Sequence, residues 1–292
     1  MQNEFKFATN VYNEAYQMKR SINIKGTLLD LTTPQVMGIL NVTPDSFSDG
    51  GRYSSVDDAV RNAFKMAVAG ASIIDVGGYS SRPGAAEVSV QEEMDRVLPV
   101  IERLSKKVDA FISIDTFRSQ VAAAAVKAGA HIVNDISAGD DDADMLKTVA
   151  QLGVPYIAMH KQGLPSTMQN NPTYENVVGE VLNYLQAKIK QCNEAGIEQV
   201  IVDPGFGFGK TLEHNYALLR ELPQLNVLEV PILVGVSRKS MIYRLLENTP
   251  ADALNGTTFL HAFALQAGAS ILRVHDVKEA VECVSLFEAL KA

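Results

Sequence analysis

Most short apolar runs in the chain end in a side chain that carries a charge or forms hydrogen bonds. In chain order these side chains are Asn41, Asp75, Asp115, Asn134, His160, Asp203, Ser237, Arg273 and His275. Each alone is explained equally well as a cap or an ion pair, because a buried polar group without a partner costs about 2–7 kcal/mol. The complete series is harder to explain as packing. It indicates a binding site assembled from the ends of several elements.

Four side chains at or near the ends of these runs suit a flat, nitrogen-rich ring. Asp115, Asn134 and Asp203 supply oxygen acceptors for ring N–H groups. Lys239 can donate to a ring oxygen or nitrogen. The residue types therefore predict a pocket for a heterocycle that carries several donors.

Other side chains suit anionic groups. Arg273 and His275 alternate along one run, so both face the same side of a strand. With Asn41 they suit a phosphate. Arg82, which follows two serines in a turn, and Ser237, at the start of a short helix, indicate a second site for an anion such as a carboxylate.

Residues 203–211 contain three glycines and end in Gly-Lys-Thr. A phosphate-binding P-loop would need glycine five residues before Gly209, where this chain has Pro204, and a dinucleotide fingerprint is also absent. We interpret the glycines as places where the backbone approaches a planar ligand, with Phe206 or Phe208 as an apolar wall.

The elements that carry these residues follow a regular rhythm. Eight short β-rich runs are Val36–Val42, Ser72–Val76, Ala110–Ile114, His131–Ile136, Val154–Met159, Gln199–Val202, Val230–Val236 and Ser270–Val274. They alternate with helical patterns at Val56–Gly70, Val90–Val108, Ser119–Gly129, Ala143–Gly153, Tyr174–Gly196, Leu212–Leu222, Asn255–Gly268 and Val277–Leu290. Strands that are apolar along most of their length indicate a parallel sheet buried on both faces. Eight such units predict an α/β fold, a closed (β/α)₈ TIM barrel; a doubly wound open sheet is the alternative.

An Ala-Gly-Ala sequence ends three of the helical patterns. Its glycines are Gly70, Gly129 and Gly268, and a run follows each of them at once. Glycine supplies the left-handed turn at a helix end. Five residues after each glycine stands a polar residue, Asp75, Asn134 or Arg273. The shared offset predicts that all three side chains reach one common face.

Length and composition bound the remaining possibilities. The 292 residues are 47% hydrophobic, with 26 basic and 34 acidic side chains and a formal net charge of −8. The acidic balance argues against general nucleic-acid binding, and no stretch approaches the ~20 apolar residues of a membrane span. Two cysteines form neither a disulfide framework nor a metal-ligand spacing. We expect small-molecule substrates, no nucleic-acid or membrane partner, and a cytoplasmic location.

With these motifs the sequence resembles the dihydropteroate synthases of folate biosynthesis, a family of pterin-binding enzymes. The resemblance runs from about Val36 to the C-terminus. It rests on eight segments in the same order: residues 37–51, 81–84, 114–116, 134–136, 159–160, 203–211, 237–240 and 273–277. The nearest alternative is a pterin-binding methyltransferase that passes a methyl group to a corrinoid. Such an enzyme would lack the elements at 81–84 and 273–275.

The resemblance implies a reaction and a site map. The amine of 4-aminobenzoate displaces pyrophosphate from the methylene of a 7,8-dihydropterin, by a dissociative route. The implied pterin pocket is Asp115, Asn134, Met159, Asp203 and Lys239. The implied pyrophosphate site is Asn41, Arg273 and His275, with Mg²⁺ as cofactor bound at Asn41. The implied aminobenzoate pocket is Phe47, Ser81, Arg82, Pro83, Phe208 and Ser237, and Gly207 is a further substrate contact. The expected catalytic residues are Asp115, Asp203, Lys239, Arg273 and His275.

The domain organisation has one catalytic unit. Residues 1–35 are predicted to be an extension whose residues 22–31 form a hairpin turning at Lys25-Gly26 and closing the barrel's bottom; residues 36–292 form the single pterin-binding domain. The family expectation is a homodimer. Tyr79 and Ser81 replace the Glu and Thr of many family members, which predicts a changed loop anchor and a modest loss of packing on aminobenzoate.

Overall fold

In a computed structural model, the chain is described for residues 21–42, 52–79, 88–163, 168 and 171–291, with residues 52–55 described by their backbone only. The strands are β1 (Ser21–Ile24), β2 (Thr27–Asp30), β3 (Gln35–Asn41), β4 (Ile73–Gly77), β5 (Phe111–Asp115), β6 (Ile132–Asp135), β7 (Tyr156–Met159), β8 (Val200–Asp203), β9 (Leu233–Val234) and β10 (Ile271–Val274). Strands β3 to β10 form one parallel sheet in the order β8-β7-β6-β5-β4-β3-β10-β9. The predicted TIM barrel is therefore confirmed, and the open doubly wound sheet is not formed.

The helices fall between the strands, as the apolar periodicity predicts. They are α1 (Arg52–Val68), α2 (Val90–Leu104), α3 (Ser119–Ala128), α4 (Met145–Leu152), α5 (Val177–Ala195), α6 (Leu212–Arg220), α7 (Ser240–Tyr243), α8 (Leu254–Gln266) and α9 (Val277–Lys291). Short 3₁₀ turns occupy Leu222–Leu228 and Pro250–Asp252. Within the described ranges, no helix is both long enough and apolar enough to cross a bilayer.

The barrel closes between β8 and β9 through a short contact. Val202 and Ile232 form a single parallel bridge, and the Val202 N–H donates to the Pro231 carbonyl at 3.0 Å. Strand β9 is much shorter than the predicted run of residues 230–236. Pro231 has no N–H for a ladder, and beyond Val234 the chain leaves the sheet to bring Lys239 to the barrel's end.

A hairpin covers the end of the barrel where the strands begin. Strands β1 and β2 pair antiparallel with Ile24 opposite Thr27. Lys25 and Gly26, the two turn residues, have φ of 50° and 92°, the positive values that a tight two-residue turn requires. The side chains of the hairpin that pack on the strand starts are Ile22, Ile24, Leu29 and Leu31. The predicted hairpin is confirmed, whereas residues 1–20 lie outside the described part of the chain.

The three Ala-Gly-Ala sequences lie at helix ends, as predicted. Gly70, Gly129 and Gly268 have φ of 101°, 120° and 102°. A non-glycine residue would be strained there. The alanine after each of these glycines donates its N–H back to a helix carbonyl at 2.9–3.0 Å. Each helix thus ends at its glycine, and the next strand begins at the same offset after the glycine in all three cases.

Candidate active site

The predicted site residues within the described ranges gather at the carboxyl ends of the strands. Asn41, Asp115 and Asp203 are the last residues of β3, β5 and β8. Met159 is the last residue of β7, and Asn134 stands one residue before the end of β6. In a parallel barrel these ends meet at one mouth. The series of polar run ends found in the sequence therefore becomes a single ring.

A network of side chains from four strands ties Arg273 to two carboxylates. The Arg273 Nε donates to Asp75 Oδ2 at 2.7 Å, and its Nη2 donates to Asp115 Oδ2 at 2.6 Å. Asn134 Nδ2 donates to the same Asp75 oxygen at 3.0 Å. The three residues that share an offset from Ala-Gly-Ala are thus in direct contact. The predicted common face is confirmed, and both the Asn134 amide and the Arg273 guanidinium are held in fixed orientations.

Burial and charge oppose one another in this network. Burial raises the pKa of Asp115 to about 7, although the Arg273 charge acts against the rise. Burial lowers the pKa of Arg273, but Asp75 and Asp115 outweigh it and raise that pKa above its ordinary value. Asp75 is fully buried, and its Oδ1 has no partner in the described structure. The guanidinium is permanently charged, and it stabilises the ionised form of Asp115 against the effect of burial.

Asp203 and Lys239 lie beside this network, close to Arg273. Asp203 Oδ1 accepts the Gly205 N–H at 2.7 Å, and Lys239 Nζ donates to the Phe206 carbonyl at 2.5 Å. Burial raises the pKa of the Asp203 carboxyl, and the Lys239 charge acts against the rise. Burial also lowers the pKa of Lys239 to about 8, with Asp203 acting in the opposite direction. The loop after β8 therefore orients both side chains through its own backbone.

The apolar wall suggested for the segment after β8 is Phe208 rather than Phe206. Phe206 is fully buried in the core, while Phe208 is half-buried and its ring centroid lies 4.8 Å from Lys239 Nζ. Gly207 lies beside it, and a Cβ added there would come within 3.3 Å of the Lys239 side chain. Phe208 and Gly207 are thus both placed at the mouth.

The other two glycines of this segment have a different role from the predicted one. Gly205 and Gly209 have φ of 71° and 62°. A Cβ on Gly205 would stand 1.8 Å from the His160 carbonyl oxygen, and one on Gly209 would stand 2.2 Å from the Gln162 carbonyl oxygen. These glycines bring the loop against the neighbouring loop after β7. The interpretation that they admit a planar ligand was wrong for these two positions.

Ser237 and His275 lie together beyond β9 and β10. The buried Ser237 hydroxyl accepts the His275 N–H at 3.2 Å, while the His275 side chain is exposed. Arg238, next to Ser237, binds Asp276 through Nε at 2.8 Å and Nη2 at 2.9 Å. Arg238 therefore holds two loops together. Ser237 and His275, the residues predicted to bind anions, are brought side by side.

Asn41 fits a shared Mg²⁺ site better than a resident metal centre. Its side chain is half-buried at the end of β3. Among the residues that the structure describes, no three His, Cys, Asp or Glu side chains are grouped closely enough to hold a metal. Mg²⁺ commonly takes only one or two protein oxygens, with water and substrate phosphates as its other ligands. One amide oxygen is compatible with that kind of site.

Four predicted aminobenzoate contacts, Phe47, Ser81, Arg82 and Pro83, lie outside the described residues. The residues at the start of the loop that contains Ser81, Arg82 and Pro83 are described. The ring of Tyr79 packs edge-on against Phe117 with centroids 5.3 Å apart, and the Arg118 guanidinium lies 5.6 Å from the Tyr79 centroid. Arg96 Nη1 donates to the Gly78 carbonyl at 2.9 Å. An aromatic and cationic cluster thus fixes the start of that loop.

Two buried polar residues at the mouth were not assigned a role from the sequence. The sequence predicts Asp75 as a member of the common face but not as a partner of Arg273, and it predicts no role for Lys210. The offset after Gly70 was the signal for Asp75. For Lys210 no sequence signal existed, because its partners are backbone carbonyls and one imidazole nitrogen from two different loops.

Comparisons with known proteins agree on one family. The family model described as "Pterin binding enzyme" matches residues 37–275. The chain is 51% identical over 267 residues to dihydropteroate synthase of Escherichia coli (strain K12), covering 91% of this chain and 94% of the relative.

Solved structures give the same result. The Yersinia pestis dihydropteroate synthase in a sulfonamide drug complex superposes with a TM-score of 0.88 at 47% identity, covering 93% of this chain and 99% of the other. The Xanthomonas albilineans dihydropteroate synthase in complex with 7,8-dihydropteroate gives 0.85 at 41% identity, with the same coverage. By fold, strand-end residues and identity over most of its length, the chain belongs to the pterin binding enzyme family, as a dihydropteroate synthase.

Proposed function

We propose that this chain joins 4-aminobenzoate to the methylene of 6-hydroxymethyl-7,8-dihydropterin diphosphate, forming 7,8-dihydropteroate and pyrophosphate for folate synthesis. The observation that carries the proposal is the mouth that combines Asp115, Asn134 and Asp203 with Lys239 and Arg273. The relative from Xanthomonas albilineans binds the product of this reaction.

The pterin ring would bind across the mouth between the two charged networks. Asn134 uses Nδ2 on Asp75, so its Oδ1 is the acceptor left for a ring N–H. Asp115 and Asp203 would accept further ring donors, and Lys239 would donate to a ring oxygen or nitrogen. Met159, buried at the end of β7, would line the ring.

The substitution at the methylene follows from this placement. The carbon–oxygen bond to the diphosphate breaks and its electron pair leaves with the diphosphate, so positive charge develops on the pterin and its methylene. The carboxylate of Asp203 stabilises that charge electrostatically. The amine nitrogen of aminobenzoate then forms the new bond to carbon and releases a proton. No covalent enzyme intermediate is required.

The leaving diphosphate would meet Asn41, Arg273 and His275. Arg273 stays charged because two carboxylates hold it, so it can attract the leaving group without a proton transfer. Mg²⁺ bound at Asn41 and the diphosphate would supply Lewis-acid stabilisation of the leaving group. Phe208 and Ser237, with Phe47, Ser81, Arg82 and Pro83, would bind aminobenzoate.

We also infer a homodimer and a cytoplasmic location. Four apolar side chains on α8 and α9 are more than half exposed: Phe259, Phe263, Leu286 and Leu290. A shared apolar patch of this kind suits a self-complementary contact with a second copy. Phe263→Glu should then give a monomer by analytical ultracentrifugation, whereas an unchanged mass would exclude this face. The buried free thiols Cys192 and Cys283 suit a reducing compartment.

Pyrophosphate release tests the reaction. The purified chain should release pyrophosphate only when the pterin diphosphate, aminobenzoate and Mg²⁺ are all present, and dihydropteroate should appear in equal amount. Omission of aminobenzoate provides the control for simple hydrolysis. Release that is independent of aminobenzoate, or no release at all, would refute the proposed function.

A further inference from the structure

Lys210 lies beneath the mouth and its ammonium group is enclosed by acceptors. The residue is 3% exposed. Its Nζ donates to the carbonyls of Gly205 at 2.9 Å and Phe208 at 3.2 Å, and it lies 2.9 Å from His160 Nδ1. A longer contact reaches the His160 carbonyl at 3.4 Å. An ammonium has three donors and no acceptor, so these partners match it and leave none over for substrate.

The carbonyls that bind Lys210 belong to the loop that orients the reacting groups. Gly205, whose carbonyl accepts from Lys210, donates its own N–H to Asp203 Oδ1, and the carbonyl of the next residue, Phe206, accepts from Lys239 Nζ. Phe208 supplies a carbonyl to Lys210 and a ring to Lys239. Lys210 therefore fastens both ends of the segment that holds Asp203 and Lys239.

His160 is the remaining partner of Lys210, and it links the loop after β7 to the ammonium group. Burial, together with the Lys210 charge, lowers the pKa of His160 to about 3, so its imidazole is neutral and Nδ1 accepts from the ammonium. Burial lowers the pKa of Lys210 to about 7, with the charge of Asp203 acting in the opposite direction. Lys210 is therefore an ammonium in the acidic range below that pH. The ammonium thus joins the loops after β7 and β8 at a buried point beneath the mouth.

We propose that Lys210 is a positioning residue for the reaction, acting as a cationic clamp that sets the geometry of Asp203 and Lys239 through the backbone of residues 205–208. This inference rests on the proposed function. The clamp also has an electrostatic effect, because the Lys210 charge lowers the pKa of Asp203 alongside the charges of Lys239 and Arg273 and the Gly205 hydrogen bond. Lys210 therefore helps to keep Asp203 ionised as well as placed.

The test compares Lys210→Met and Lys210→Gln with a matched control, Lys188→Met. Lys188 on α5 is also a buried lysine, but it pairs with Asp140 and holds none of the reacting groups. The glutamine variant keeps amide donors for the loop carbonyls while removing the charge, so it serves if the methionine variant does not fold. Active-site concentration is measured by calorimetric titration with the pterin diphosphate, and turnover is expressed per binding site.

Both Lys210 variants should lose about tenfold or more in kcat per site, since small misplacements of reacting groups are that costly. The acid limb of the kcat/KM pH profile should move to higher pH, because Asp203 loses a neighbouring cation. Lys188→Met should keep the wild-type profile. If the Lys210 variants keep wild-type kcat per site and an unshifted acid limb, the inference is overturned. If the wild-type chain itself forms no dihydropteroate, the proposed function fails instead.

Discussion

The barrel interior has a lower apolar layer and an upper polar layer of side chains, and the two layers lie two residues apart on the same strands. In β4, β6, β8 and β10 an isoleucine of the lower layer is followed two residues later by a polar residue of the mouth. The pairs are Ile73 and Asp75, Ile132 and Asn134, Ile201 and Asp203, and Ile271 and Arg273. Residues two apart on a strand share a face. One layer therefore holds the barrel together, and the next layer is available for chemistry.

The two layers are stabilised by different means. The lower layer is an apolar cluster sealed by the β1–β2 hairpin, and its side chains gain from burial at about 25 cal/mol per Å². The upper layer buries charges that must be paired, which rarely adds net stability. Arg273 between Asp75 and Asp115 is an example. Changes in the lower layer should therefore alter folding, and changes in the upper layer should alter catalysis.

The largest expected effect is on turnover, from Asp203→Asn. Removing the charge while keeping the shape should lower kcat by about 10²-fold or more, equivalent to about 2.7 kcal/mol, since a group that stabilises transition-state charge has been lost. Pyrophosphate release under saturating substrates measures this change.

A matched control comes from the end of another strand, β6. Asp135 is also buried, but it accepts the Tyr156 hydroxyl at 2.6 Å and the Gly139 N–H at 2.8 Å, away from the mouth. Asp135→Asn should cost stability and leave kcat of the folded enzyme near the wild-type value. Equal turnover losses in the two variants would erase the distinction between a reacting carboxylate and a structural one.

Arg273→Ala should have the next largest effect, on one substrate only. Loss of a charged donor costs about 1.5–3 kcal/mol. Binding of the pterin diphosphate should therefore weaken by roughly tenfold to a hundredfold, while aminobenzoate binding to the pyrophosphate-loaded enzyme should hardly change. Isothermal calorimetry measures both affinities. Arg273→Lys, which keeps the charge and loses the fork, should fall between the two, and equal weakening of both ligands would contradict the site map.

The smallest expected effect is in the lower layer, from Ile157→Val. Ile157 is fully buried in the cluster beneath the mouth. Removing one methylene should lower the free energy of unfolding by about 1 kcal/mol, as measured by urea denaturation, with kcat unchanged. A fall in kcat without a loss of stability would show that the two layers are not separable.

The sequence predicted the fold because each barrel unit repeats a local signal. Apolar runs, helical periodicity and glycine at Gly70, Gly129 and Gly268 recur along the chain. An uncertain assignment of one strand–helix unit is therefore resolved by the clearer pattern of the units beside it. The departures occur where that signal is weakest. Strand β9 is cut short by Pro231, and helix α1 begins at Arg52, four residues before the predicted start.

The site was predictable only as a set of residues that share a face. Spacing placed Asp75, Asn134 and Arg273 together, but it could not specify that Asp75 bridges the other two. Arg273 contacts carboxylates 198 and 158 residues away in the sequence. The contacts of Lys210 were not predictable from the sequence either, because most of its partners are backbone carbonyls, which any residue type supplies.

The upper layer holds charge at a cost in stability, and Asp115 is the residue at which this cost is most directly measured. Burial raises its pKa from 3.8 to about 7. Its protonated form therefore favours folding below the unfolded pKa, and that contribution is lost as pH rises through the folded pKa. Asp115→Asn lacks this loss, and Asp75 still pairs Arg273 in the variant.

The measurement is the free energy of unfolding in urea at about pH 5 and about pH 8 for both proteins. We expect the wild type to lose more stability than Asp115→Asn between the two, and the variant to be at least as stable as the wild type at the higher pH. A variant that is less stable than the wild type at about pH 8, with the same pH dependence, would contradict the claim.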